Sequence, residues 1–194
     1  SLSAQNLNIE SRGIVGFQGN IGTASIPLGA VTVGNASSQY NPNSLIINNG
    51  AGNATNIFAK SVAAYVNNQI LINGTTTTNY IDGVVLQASL SSSSISIGKA
   101  NFLAPAISTT NLGSVTINNS GTFQVNGDII ANGSINQIGT GSVIIGTPAT
   151  ALDLKISADS KSIYFNSPIT LNQNLDITSN SSGLSYEGAD ITFN

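Results

Sequence analysis

The side chains of this sequence able to do chemistry fall into three small groups. Asp153, Lys155, Asp159 and Lys161 form one charged patch, and paired carboxylates with a cation at hand are what a polysaccharide hydrolase or lyase needs to move protons. Their spacing points elsewhere. Asp153 and Lys155 alternate with Leu152, Leu154 and Ile156, so on a strand the charges face solvent while the apolar residues turn inward, and a charge set spaced this way serves solvation. Asp176, Glu187 and Asp190 are hard oxygen donors suited to calcium, but the Gly-Gly-x-Gly-x-Asp loops of calcium-binding β-rolls are missing. Tyr40, Tyr65 and Tyr80 lie in or beside turn-rich segments. Their rings are able to stack on a sugar, or to cover a core edge with the hydroxyl left in water. These tyrosines are the ligand-binding candidates; no catalytic residue, metal or cofactor is assigned.

Composition supports that reading. The chain carries 5 Lys+Arg, 8 Asp+Glu and no His, for a net charge of −3. Groups that transfer protons or hold phosphates are therefore scarce, and the basic footprint required for nucleic acid is missing. The absence of Cys excludes a disulfide framework, a zinc-thiolate site and a thiol nucleophile. No stretch has the length of a membrane span or the pattern of a signal peptide. Only 7 % of residues are charged, far below the usual quarter, and Asn, Ser and Thr take over the polar surface. Disorder is disfavoured because the hydrophobic 40 % sits at strand spacing.

The elements that must position these residues are short pulses of apolar-x-apolar sequence. They include Leu7-x-Ile9, Val15-x-Phe17, Val31-x-Val33, Leu45-x-Ile47, Ile70-x-Ile72, Ile95-x-Ile97, Val115-x-Ile117, Phe123-x-Val125, Val143-x-Ile145 and Ile163-x-Phe165, and they continue to Ile191-x-Phe193. Each is a strand with one buried face. Gly121, Gly127, Gly133, Gly139, Gly141 and Gly146 punctuate the second half as corners. Three such pulses make a coil of roughly 20–25 residues, and coils stacked at ~4.8 Å give a rod of roughly 40 Å. The expected fold is all-β, a right-handed parallel β-helix (β-solenoid) over residues 1–194 as one segment of a longer protein. Residues 34–61 are expected to protrude as loops. Phe58, Val62, Tyr65 and Val66 stand at i, i+4, i+7 and i+8 after a possible Asn56 cap, so a short helix competes there with strand.

Two longer patterns add to this. Asn6-Leu7-Asn8-Ile9-Glu10-Ser11 parallels Asn174-Leu175-Asp176-Ile177-Thr178-Ser179, as one repeating module would, or as two generic strand-turn-strand segments of a low-complexity chain would. Phe17-Gln18-Gly19-Asn20-Ile21-Gly22 followed by Ile26 to Val33, Asn166 to Asn172 followed by Leu175-Asp176-Ile177, and Thr116 to Ile129 resemble the repeat region of filamentous-haemagglutinin-like and autotransporter passenger proteins. That resemblance implies a β-helical protein at the surface of, or secreted by, a Gram-negative bacterium. It implies export through an outer-membrane translocator barrel, and a non-enzymatic role as stalk, adhesin or surface layer. Its partners would be a host surface glycan or protein, or neighbouring rods through self-association. A phage or secretion-system fibre segment is the alternative, and a carbohydrate-active β-helix enzyme a weaker one.

Overall fold

Strand after strand, the chain turns alternate residues inward, and the computed structural model contains no helix among the residues it describes. Those residues are 5–23, 25–37, 41–47, 57–72, 79–88, 94–97, 107–109, 113–146, 153–159, 161–179 and 189–194. The first part alternates two kinds of strand: β1 (Leu7–Ile9), β2 (Ile14–Phe17), β3 (Leu28–Val33), β4 (Ser44–Ile47), β5 (Phe58–Val66), β6 (Gln69–Ile72), β7 (Asn79–Ala88) and β8 (Ser94–Ile97). The second part runs in threes: β9 (Ile107–Thr109), β10 (Ser114–Asn119) and β11 (Thr122–Val125), then β12 (Ile129–Ala131), β13 (Ile135–Gln137) and β14 (Val143–Ile145). β15 (Leu154–Ala158), β16 (Ile163–Phe165) and β17 (Ile169–Leu171) repeat the pattern before β18 (Leu175–Thr178) and β19 (Ile191–Phe193).

Every strand pair is parallel. A seven-stranded sheet stacks β2, β4, β6, β8, β11, β14 and β17 in chain order. A 12-stranded sheet begins β1, β3, β5, β7 and forks there: β7 pairs with β9 through Asn79 and Tyr80, and with β10 from Gly83 to Ala88. At the same place β7 carries an extra residue against β5, where the register shifts between Ala59 and Ser61. A bulge of this kind bends a strand, and the β7 residues on either side of it pair with two different strands, β9 and β10. The inward residues of β5 record it: Ala59, Val62, Ala64 and Val66 are buried, with a three-residue step at the bend. The column from β1 through β10 to β19 is eight strands deep, about 34 Å at ~4.8 Å per strand.

Like stacks on like inside. Val31 lies over Val62, Val115 over Ile135, and Ile135 over Ile163. In the seven-stranded sheet Leu45, Ile70, Ile95, Phe123 and Val143 follow one another. All of these are at most 3 % exposed. Each full burial of such a side chain stabilises by roughly 1.5–3 kcal/mol relative to exposure. The turn length varies while the register holds: Val84 pairs with Val115, but Val115 with Ile135.

Residues 58–66 are strand, not helix. The helical spacing of Phe58, Val62, Tyr65 and Val66 is overridden because β3 and β7 flank the segment and engage its backbone in a ladder on both sides. Within 34–61, Ser44–Ile47 is strand β4 and Phe58 opens β5, while residues 38–40 and 48–56 lie outside the described residues.

One corner is polar inside. Gln137 occupies the inward column between Ile117 and Phe165, is 0 % exposed, and donates to Asn119 Oδ1 at 2.7 Å and to the Gly139 carbonyl at 2.8 Å. Its Oε1 accepts from the backbone N–H of Asn166 and of Ser167. Asn119, also 0 % exposed, donates to the Gly121 carbonyl at 2.7 Å. Buried amides tied in this way bear little desolvation cost. Composition assigns Asn to the polar surface; here Asn119, with Gln137, holds an interior corner.

Candidate functional site

Tyr65 is the one tyrosine candidate whose side chain the structure places. It sits in β5 between buried Ala64 and Val66, points outward and is half-buried. Tyr80 lies in β7, its backbone paired with Ala59 and Thr109, and Tyr40 lies outside the described residues. Around Tyr65 runs a surface groove of about 330 Å³ lined by Asn8, Ile9, Glu10, Thr32, Gly34, Asn35, Ala36 and Tyr65. It crosses β1, β3 and β5, so its width is about 10 Å at ~4.8 Å per strand.

The groove is built by the turn after β3. Gly34 has φ +74 and donates its N–H to the Ile9 carbonyl at 2.9 Å; a Cβ there would fall 2.2 Å from the Tyr65 carbonyl oxygen. Only glycine accepts both the left-handed backbone and that approach. Asn35 N–H donates to Oδ1 of buried Asn41 at 2.7 Å, and the Asn41 carbonyl accepts from Asn67 Nδ2 at 3.0 Å. Asn35 Oδ1 accepts from Ser37 N–H at 2.9 Å, an Asx turn that holds the side chain in place. Among the described residues the Tyr65 hydroxyl has no hydrogen-bond partner within the protein. Sequence reasoning named Tyr65 but missed Asn8, Glu10, Thr32 and Asn35. Their signal is phase: Asn8 and Thr32 are the outward residues of Leu7-x-Ile9 and Val31-x-Val33, and these pulses stack in register.

The charged patch resolves differently. Leu154 and Ile156 are buried while Asp153 and Lys155 are exposed. Asp153 accepts from Asn174 Nδ2 at 2.9 Å. Asp153 and Asp159 stand at opposite ends of one extended stretch, about 20 Å apart at ~3.3 Å per residue, well beyond the span two carboxylates need in glycoside hydrolysis. Lys155 instead faces Asp176 on β18, and its N–H donates to Asp128 Oδ1 at 3.0 Å on the other side. The result is an acid-base-acid column, Asp128 half-buried and Lys155 and Asp176 exposed, whose members lie far apart in the sequence. Glu187 lies outside the described residues, and among the described residues no three His, Cys, Asp or Glu side chains gather as a metal site would require.

At the β17–β19 end, Ile169, Leu171, Leu175, Ile177 and Phe193 surround an open depression, with Leu171 58 % and Phe193 53 % exposed. These are the inward positions of the last turn; Phe193 stacks on Phe165 with ring centroids 5.7 Å apart. In comparison with known proteins, no family model matches the chain, and no curated protein or solved structure matches it.

Proposed function

We propose that this chain is a right-handed parallel β-helix acting as a rigid, non-enzymatic segment of a bacterial surface or secreted protein, a stalk or adhesin. The observation that carries the reading is the parallel stacking of like residues through eight successive strands. Parallel crossovers adopt the right-handed sense, and a ladder in which each turn contacts only its neighbours transmits shape along one axis. Few charged groups are at hand to act on a substrate, with 5 Lys+Arg and 8 Asp+Glu in the chain. In this reading the protein is exported through an outer-membrane barrel of a Gram-negative bacterium, and its groove-lined side meets the partner. An antibody raised against the 194-residue chain should label intact cells of the source organism, and protease treatment of those cells should remove the label. Label that appears only after permeabilisation would overturn the proposal.

A further inference from the structure

We infer that the groove at Tyr65 binds a neutral saccharide, the ligand class for the adhesive role proposed above, on which this inference rests. Three features of the lining select it. The half-buried Tyr65 ring offers an apolar surface of the kind that packs against the C–H face of a pyranose, with its hydroxyl left for the ligand. Asn8, Thr32 and Asn35 supply amide and hydroxyl groups that both donate and accept, as sugar hydroxyls require. Among the described residues Glu10 is the only charged one in the lining and no Lys or Arg joins it, so an acidic sugar meets a like charge while a neutral hexose or N-acetylhexosamine meets an acceptor for its hydroxyls. The site is pre-formed: Gly34, Asn35 and Asn41 are fixed by the bonds described above, and little ordering remains for the ligand to impose.

The test is a titration of the whole chain with lactose, maltose and chitobiose, with sialyllactose as the acidic comparison, followed by NMR shifts or calorimetry. Binding to at least one neutral disaccharide is expected. Tyr65→Ala should weaken it about tenfold, and Tyr65→Phe, which keeps the ring, by about threefold or less. Glu10→Lys should narrow the preference for lactose over sialyllactose. Binding that survives Tyr65→Ala unchanged, a preference for sialyllactose, or no binding by the folded wild-type chain would each overturn the inference. Circular dichroism of all three variants separates lost binding from lost fold. Surface labelling of cells, which does not depend on Tyr65, tests the role proposed above separately.

Discussion

Gln137 and Asn119, on adjacent strands β13 and β10, are joined side chain to side chain by a 2.7 Å hydrogen bond in the buried interior. Removing one partner strands the other. Asn119→Ala leaves Gln137 Nε2 one acceptor short and frees the Gly121 carbonyl, so it should destabilise by about 2–3 kcal/mol, since a buried polar group without a partner costs about 1–3 kcal/mol. Urea denaturation of Asn119→Ala, Gln137→Ala and the double variant should give a coupling energy above about 0.5 kcal/mol. An additive cycle would mean that the two amides act independently.

Two glycines should respond in opposite ways to the same substitution. At Gly141 a Cβ would stand 1.7 Å from the Gly121 carbonyl oxygen, whereas at Gly16 nothing lies within 4 Å. Gly141→Ala should therefore unfold the corner or cost several kcal/mol, a severe effect by the standard of single substitutions. Gly16→Ala should leave stability unchanged or raise it by about 0.5–1 kcal/mol through lost freedom of the unfolded chain. Thermal melts of the two variants measured together decide the matter.

Reversing the charge at Lys155 should introduce a salt-sensitive defect. Lys155→Glu would place a third carboxylate in line between Asp128, the residue before β12, and Asp176 on β18. Like charges directly opposite on a sheet destabilise by roughly 0.2–1 kcal/mol. The loss should shrink in 1 M salt, where the screening length falls to about 3 Å. A denaturation midpoint shifted equally at low and high salt would point to packing instead.

The exposed apolar residues at the β17–β19 end should drive self-association. Leu171→Asn should lower light scattering at high protein concentration while changing stability by no more than about 0.5 kcal/mol, because Leu171 is already 58 % exposed. Unchanged scattering would place the sticky surface elsewhere.

Strands whose two inward residues are both large and apolar were legible in the sequence, as β6 with Ile70 and Ile72 and β11 with Phe123 and Val125 illustrate. The unread strands break that template at one inward position. β9 turns Thr109 inward, β12 Ala131 and β13 Gln137, and all three residues are buried. A small or amide side chain at a corner carries no hydrophobic signal, yet the ladder on either side holds it in place. β5 was ambiguous for a related reason, since its inward set contains Ala59 and Ala64 while its bulky Phe58 and Tyr65 face outward. The groove at Tyr65 was only partly legible: its residues come from three strands far apart in the chain, and their adjacency depends on turn lengths that vary.

Those unequal turns separate two quantities that most folds bind together. Going from Val84 to Val115 takes far more chain than going from Val115 to Ile135, yet each step advances the ladder by a single rung. Rung phase is fixed by the inward column, while chain consumed between rungs is free. Segments between rungs can therefore grow, shrink or be exchanged without the interior registering the change, so such a protein can rewrite its outer relief in evolution while its spine stays the same. For an engineer it is a peg-board on which foreign peptides are hung at a chosen height.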